Sequence, residues 1–171
     1  MLLSLLDAPR RLLAVVALSC LGSLVFGLYL QHIVGLDPCP MCIVQRYVMV
    51  LVTIVAALSA ALGKHKPVLL GGNALMVLLA GFGAFVAARQ TLLQWYPPEI
   101  ASCGRDFYGM IETFPLKRAI PMIFKGSGDC SAVDWTFLGG SIANWSFLCF
   151  VLIVMAGIGM MVRSMRKPLT A

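Results

Sequence analysis

The sequence predicts an all-α membrane protein: a four-transmembrane-helix bundle, both termini inside, with a long outward loop between the third and fourth helices. Three observations carry this expectation. Of the 171 residues, 60% are hydrophobic and only 12% charged, about half the charged share of a soluble globular domain. Four stretches are long and apolar enough to cross about 30 Å of hydrocarbon. The formal charge of +6 falls on one side of the spans so defined. A chain of this length makes a single domain, 1–171. A soluble domain of this size cannot hide so much apolar surface and still face water. That excludes an ordinary cytosolic enzyme, a disordered chain and a nucleic-acid-binding domain.

The first span covers about residues 12–31, and Leu12 to Leu30 carries no charge. Arg10 and Arg11 before it resemble the basic start of a cleaved signal peptide, but the apolar run continues ten residues past Cys20, longer than a signal's apolar region. The second span covers about 43–62. Tyr47 to Leu62 is uncharged, and the span begins near Ile43 if Arg46 is accommodated. The third covers about 68–88, also uncharged. The fourth covers about 144–162, within an uncharged run from Trp135 whose densest apolar part starts at Trp145.

The N-terminus, the turn Gly63 to Pro67 and the C-terminus hold Arg10, Arg11, Lys64, Lys66, Arg163, Arg166 and Lys167 against Asp7, a net +6. The remainder holds six basic and six acidic residues and sums to zero. The positive side of a membrane protein is cytoplasmic, so the basic charge needs no nucleic-acid partner. Two segments then face outward, about 32–42 and 89–143. Trp95, Tyr96, Trp135 and Trp145 lie where interfacial aromatic belts are expected.

Of six cysteines, Cys20 and Cys149 fall within spans and read as small apolar residues. The other four, Cys39, Cys42, Cys103 and Cys130, fall in the outward segments, where an oxidising compartment permits two disulfides. Cys39-Pro40-Met41-Cys42 is a C-x-x-C, a spacing shared by metal knuckles and redox pairs. A tetrahedral metal site wants a second close pair or histidine partners. Cys103 and Cys130 are 27 residues apart, and only His32 lies on the same side, so no metal is expected. Two structural disulfides explain the long loop. They explain the short one poorly, because a C-x-x-C bridge closes a tiny ring and constrains little of the unfolded chain. Thiol–disulfide exchange fits better. Pro38 precedes the pair and the second span follows directly, which places the dithiol at a helix N-terminus, where the dipole favours a thiolate.

Arg46 stands four residues after Cys42, one turn down the same helix face. It either snorkels to the outer headgroups or stabilises an anion beside Cys42. At about 4 Å and an effective dielectric of about 20, such a pair is worth about 4 kcal/mol before desolvation, ample to lower a thiol's pKa. A dithiol at a membrane surface must pass its electrons on. The chain has no G-x-G-x-x-G, no C-x-x-C-H and no histidine pair within its spans. A quinone in the bilayer is the acceptor that fits.

These residues resemble the bacterial disulfide bond formation protein B (DsbB) family over nearly the whole chain. Tyr29-Leu30-Gln31-His32 leads into Pro38-Cys39-Pro40-Met41-Cys42-Ile43-Val44-Gln45-Arg46, similar to the family's P-C-x-x-C-x-x-x-R. Gln94-Trp95-Tyr96-Pro97 precedes Cys103, and Ser127-Gly128-Asp129-Cys130 precedes Trp135-Thr136-Phe137-Leu138-Gly139, as in the family pattern. The resemblance implies a quinone-dependent thiol oxidase of the bacterial inner membrane, with its active site on the periplasmic face. It implies that Cys103–Cys130 oxidises the thioredoxin-fold partner DsbA, with Cys103 taking the mixed disulfide. Electrons would pass by exchange between Cys130 and Cys39 to the Cys39–Cys42 pair, and from Cys42 to ubiquinone or menaquinone. Arg46 would polarise the quinone and stabilise its adduct or the thiolate. Some family members carry a histidine just after the third span, near the quinone. Here the matching position is Gln90, which can donate a hydrogen bond but supplies no charge.

Between Cys103 and Cys130, Pro115 to Lys125 mixes apolar and basic residues and is expected to lie in the headgroup plane, keeping Cys130 near Cys39. Gly126 to Gly128 would supply flexibility. Two competing readings are a vitamin K epoxide reductase-like dithiol protein, which carries its C-x-x-C on a different span, and a non-enzymatic membrane protein with structural disulfides.

Overall fold

The computed structural model describes residues 9–63, 66–97, 128–131, 133 and 135–166. Four long helices account for most of them: α1 (Pro9–His32), α2 (Pro40–Leu62), α3 (Lys66–Trp95) and α5 (Ile142–Arg166). Each is long and apolar enough to cross a membrane. Between α3 and α5 lie a one-turn helix, α4 (Gly128–Ser131), and a small hairpin, β1 (Thr136–Phe137) with β2 (Gly140–Ser141). The long helices form a bundle in which α3 packs along both α2 and α5, and α1 packs along α2.

Apolar side chains cover these helices on all sides, and many lie on the outer surface, among them Leu18, Leu78 and Met155. In a bilayer, outward leucines cost nothing, so packing rests on fit between helices and on small residues that let backbones approach. The core shows this. Leu13, Val16, Ala17 and Cys20 of α1 meet Val48, Met49, Val52 and Ala56 of α2, with Met76, Ala80 and Ala87 of α3 and Phe150 of α5 completing the cluster. Gly83 is one of the close approaches between α3 and α5. A Cβ there would stand 2.5 Å from the ring of Phe150, which is fully buried.

The helix ends follow local chemistry. The Arg10 Nε donates to the Ala60 carbonyl at 2.9 Å, so the start of α1 covers the carbonyl end of α2. Hydropathy ends the third span at Ala88, but α3 runs seven residues further, to Trp95. Charge and amide groups mark where a helix leaves apolar surroundings. They do not break its hydrogen bonds, and the first breaker is Pro97. Consequently Gln90 and Gln94 lie on α3 and not in a loop. The last long helix also starts early, at Ile142, where the Ser141 hydroxyl accepts from the Asn144 amide at 3.4 Å. In the hairpin, Phe137 pairs with Gly140 across Leu138 and Gly139. Both turn residues have positive φ, 50° and 80°, as a two-residue primed turn requires.

Candidate functional site

After α1 the chain turns at Gly35, whose φ is +81°, and returns through Pro38 to Cys39. Cys39 is the N-cap of α2 and Pro40 follows in the first turn, where a missing N–H costs nothing. The cap is the Cys39 sulfur itself, which accepts from the Cys42 amide at 3.4 Å. The C-x-x-C spacing and the helix start are therefore one structure: three residues bring the second thiol round the first turn. The Cys39 Sγ donates to the Cys42 Sγ at 2.9 Å.

Two glutamines complete the pair's surroundings. The Gln90 Nε2 lies 3.2 Å from the Cys39 sulfur and 3.2 Å from the Cys42 sulfur. Its Oε1 accepts from the Gln45 Nε2 at 2.7 Å. Both glutamines are buried. On the other side, α4 brings in Cys130, fully buried among Cys39, Met41, Val86 and Leu93. A hydrogen bond with the Cys130 thiol, the contact with Cys42 and burial together push the Cys39 thiol well above its ordinary pKa. Three of the four cysteines singled out in the sequence thus meet at one end of the bundle. Cys103 lies outside the described residues, as do Pro115 to Lys125 and Gly126.

Arg46 shares a cavity wall with Cys42, but its guanidinium is turned to α1. The Nη1 donates to the Gln31 Oε1 and the Nη2 donates to the Gly27 carbonyl at 3.0 Å. No hydrogen bond from the guanidinium to the Cys42 sulfur is formed. A guanidinium at a span's end finds its nearest acceptors on the neighbouring helix. Gln90, a bare match to a family position in the sequence, is the residue that touches both sulfurs. Gln45, Gln31 and Gln94 stand in the sequence motifs only as members of a pattern, with no role assigned. A signal existed, since an uncharged polar amide inside an apolar span needs a partner.

The thiols open onto a cavity of about 620 Å³ between α1, α2, α3 and α5, within the range of small-molecule sites. Its walls are mainly apolar, including Leu24, Leu30, Met49 and Ile142, with Gln45, Arg46, Gln90 and Gln94 among its polar lining. The hairpin roofs it with aromatic rings. Trp135 stands edge-on to Phe26 at 5.8 Å and stacks on Phe137 at 6.1 Å, and Phe137 lies 6.0 Å from Trp145. The Trp145 Nε1 donates to the Phe137 carbonyl at 3.0 Å. Hydrogen bonds from Ser141 to Gln94 (2.6 Å) and from Thr91 to Asn144 (3.0 Å) hold the hairpin and the start of α5 to α3. Cys20 is a core residue, whereas Cys149 is half-buried and lines the cavity. His32 is exposed. Among the described residues no three His, Cys, Asp or Glu side chains are grouped to hold a metal.

The family model "Disulfide bond formation protein DsbB" matches residues 9–160. The chain is 70% identical over 167 residues to a disulfide bond formation protein B of Polaromonas naphthalenivorans, covering 98% of this chain and 99% of that one. It is 62% identical over 159 residues to its namesake in Paracidovorax citrulli, covering 93% and 90%. Against the protein of that name from Aromatoleum aromaticum the figures are 52% over 144 residues, covering 84% and 87%.

Proposed function

The chain belongs to the DsbB family of disulfide bond formation proteins, and on that premise we propose that it is a membrane thiol oxidase that takes electrons from a DsbA-type periplasmic dithiol protein and delivers them to a membrane quinone. One observation supports this best. The Cys39–Cys42 pair lies between a buried third cysteine, Cys130, and a largely apolar cavity. A dithiol so placed can exchange with a sulfur on one side and face a lipid-soluble acceptor on the other.

In the proposed cycle the partner's two thiols reduce a Cys103–Cys130 disulfide, with Cys103 forming the mixed disulfide. The Cys130 thiolate then attacks Cys39 of the oxidised Cys39–Cys42 pair. A Cys39–Cys130 bond forms, the Cys39–Cys42 bond breaks, and Cys42 leaves as a thiolate. The Gln90 amide, within reach of both sulfurs, supplies a hydrogen bond to whichever sulfur carries the charge. Cys103 then attacks Cys130, restoring the first disulfide and leaving Cys39 and Cys42 reduced. The raised Cys39 pKa keeps that thiol protonated, so Cys42 faces the cavity as the more nucleophilic sulfur.

The cavity suits a quinone head, a flat ring with two carbonyl acceptors on an apolar tail. Gln94 and Arg46 offer donors, and the walls are mainly apolar. A quinone bound there supplies a two-electron, two-proton acceptor, ubiquinone or menaquinone. Arg46, positioned by Gln31 and Gly27, brings positive charge to the wall beside Cys42. The chain's charge asymmetry supports reading this end as the periplasmic face of a bacterial inner membrane.

Purified protein in detergent, given reduced DsbA and either quinone, tests the reading by the loss of quinone absorbance. Consumption by the wild type and by neither Cys42→Ser nor Cys103→Ser is the expected result. An inert wild type with both quinones overturns it.

A further inference from the structure

We propose that Gln45 is a positioning residue for the dithiol: its side-chain N–H group, bonded to the Gln90 carbonyl oxygen, fixes the Gln90 amide with its NH₂ toward Cys39 and Cys42. This rests on the reading of the pair as a site where a thiolate forms.

A primary amide has two faces of opposite sign. Rotated by half a turn, Gln90 would set a carbonyl oxygen, which only accepts, against the sulfurs, and a thiolate there would meet a negative dipole instead of two N–H donors. Gln90 sits 3.2 Å from both sulfurs, and its opposite end is held at 2.7 Å by a single donor, Gln45. Both amides are buried, at 4% and 3% exposure, so water does not substitute for that donor. Gln45 follows Cys42 by three residues on α2, on the same face. One helix therefore carries both the nucleophile and the group that orients its hydrogen-bond donor across from α3. Cys130 beside Cys39, with Arg46, Asp37 and Cys149 on the cavity wall, are charged or titratable neighbours of the pair among the described residues. The Arg46 guanidinium is taken up by Gln31 and the Gly27 carbonyl.

The test follows the alkylation rate of Cys42 in the reduced full-length protein, read peptide by peptide by mass spectrometry across a pH series. Gln90→Met is expected to slow it at neutral pH about tenfold, the scale of a hydrogen bond to a charged group, and to move the midpoint to higher pH. Gln45→Met is expected to slow it about threefold to fivefold in the wild-type background and not at all when combined with Gln90→Met. Gln45→Leu likewise removes the donor and should slow alkylation about as much, and it serves if the methionine variant does not fold. Equal slowing by Gln45→Met in both backgrounds, the sign of a packing role, overturns the proposal, as does no slowing by either Gln45 variant or by Gln90→Met. Neither quinone nor a protein partner enters the measurement, so its outcome is separate from that of the quinone assay.

Discussion

The Arg46 guanidinium donates to the backbone carbonyl of Gly27 at 3.0 Å, joining α2 to α1 along the wall of the cavity that the dithiol faces. A carbonyl at the side of a helix is already a hydrogen-bond acceptor within that helix and takes a second donor on its free lone pair. The approach does not depend on the glycine, since a Cβ at Gly27 would meet the Arg46 Nε at 3.6 Å, an ordinary contact. With Gln31 taking the other guanidinium nitrogen, the planar group is held from one side by α1 and its charge is fixed in place.

Arg46→Lys is therefore expected to impair quinone turnover although the charge remains. Lysine is a point donor and does not span Gln31 and Gly27 together. Loss of one charge-assisted hydrogen bond, about 1.5–3 kcal/mol, sets a fall of about tenfold or more in kcat/KM for quinone. Steady-state kinetics with the wild type and Arg46→Lys at saturating DsbA measure it, and unchanged kcat/KM would show that the fixed geometry is dispensable.

The cavity can be filled without touching a thiol. Ser146 lies on its α5 wall, and Ser146→Phe is expected to raise the KM for quinone several-fold while leaving oxidation of the same cysteines by glutathione disulfide unchanged. Equal losses in both assays would place the defect in the thiols or in folding.

The pH dependence of Cys39 has a definite sign. Its thiol stands above its ordinary value of 9.0 because of the Cys130 thiol first, then Cys42 and burial. The neutral form is thus favoured by the fold. The stabilisation is present in full below the ordinary thiol range and is lost as pH rises through that range toward the raised folded value. Reduced protein should unfold at progressively lower temperature above about pH 9, and Cys39→Ser should flatten that slope. In Cys130→Ala the midpoint for Cys39 alkylation should move down, because the leading cause is gone.

Gly83→Ala should destabilise the bundle by roughly 1–3 kcal/mol, the cost of overpacking a filled core. The added Cβ would stand 2.5 Å from the Phe150 ring, which is fully buried and cannot swing away. Thermal unfolding in detergent checks it. The pair Gly83→Ala with Phe150→Leu should recover part of the loss, since leucine removes the clashing ring atoms.

How much of this was legible beforehand depends on the interaction. Four spans were readable because transfer into hydrocarbon is a sum over consecutive residues, and each apolar run carries its own sum. Their limits were less so. Hydropathy stops at Ala88, while the α3 backbone continues to Trp95, and that extra length puts Gln90 and Gln94 in the wall of the site. The aromatic residues at the span ends were visible as a belt. That Trp135 and Trp145 both meet Phe137 beside a cavity was not.

The sequence by itself determined the membrane class, the four long apolar helices and the C-x-x-C at the start of the second, because these follow from composition, run length and local spacing along one chain. The C-x-x-C at the start of α2 even set its own cap, since a cap is made within one helical turn. Only the tertiary structure decided which groups meet from different helices. It drew Cys130 to Cys39, turned Arg46 toward Gly27 and Gln31, and set Gln90 between Gln45 and the two sulfurs. The physical reason is that a buried polar group binds whichever partner the packing brings within about 3 Å, and that partner is 45 residues away for Gln45 and 19 for Arg46.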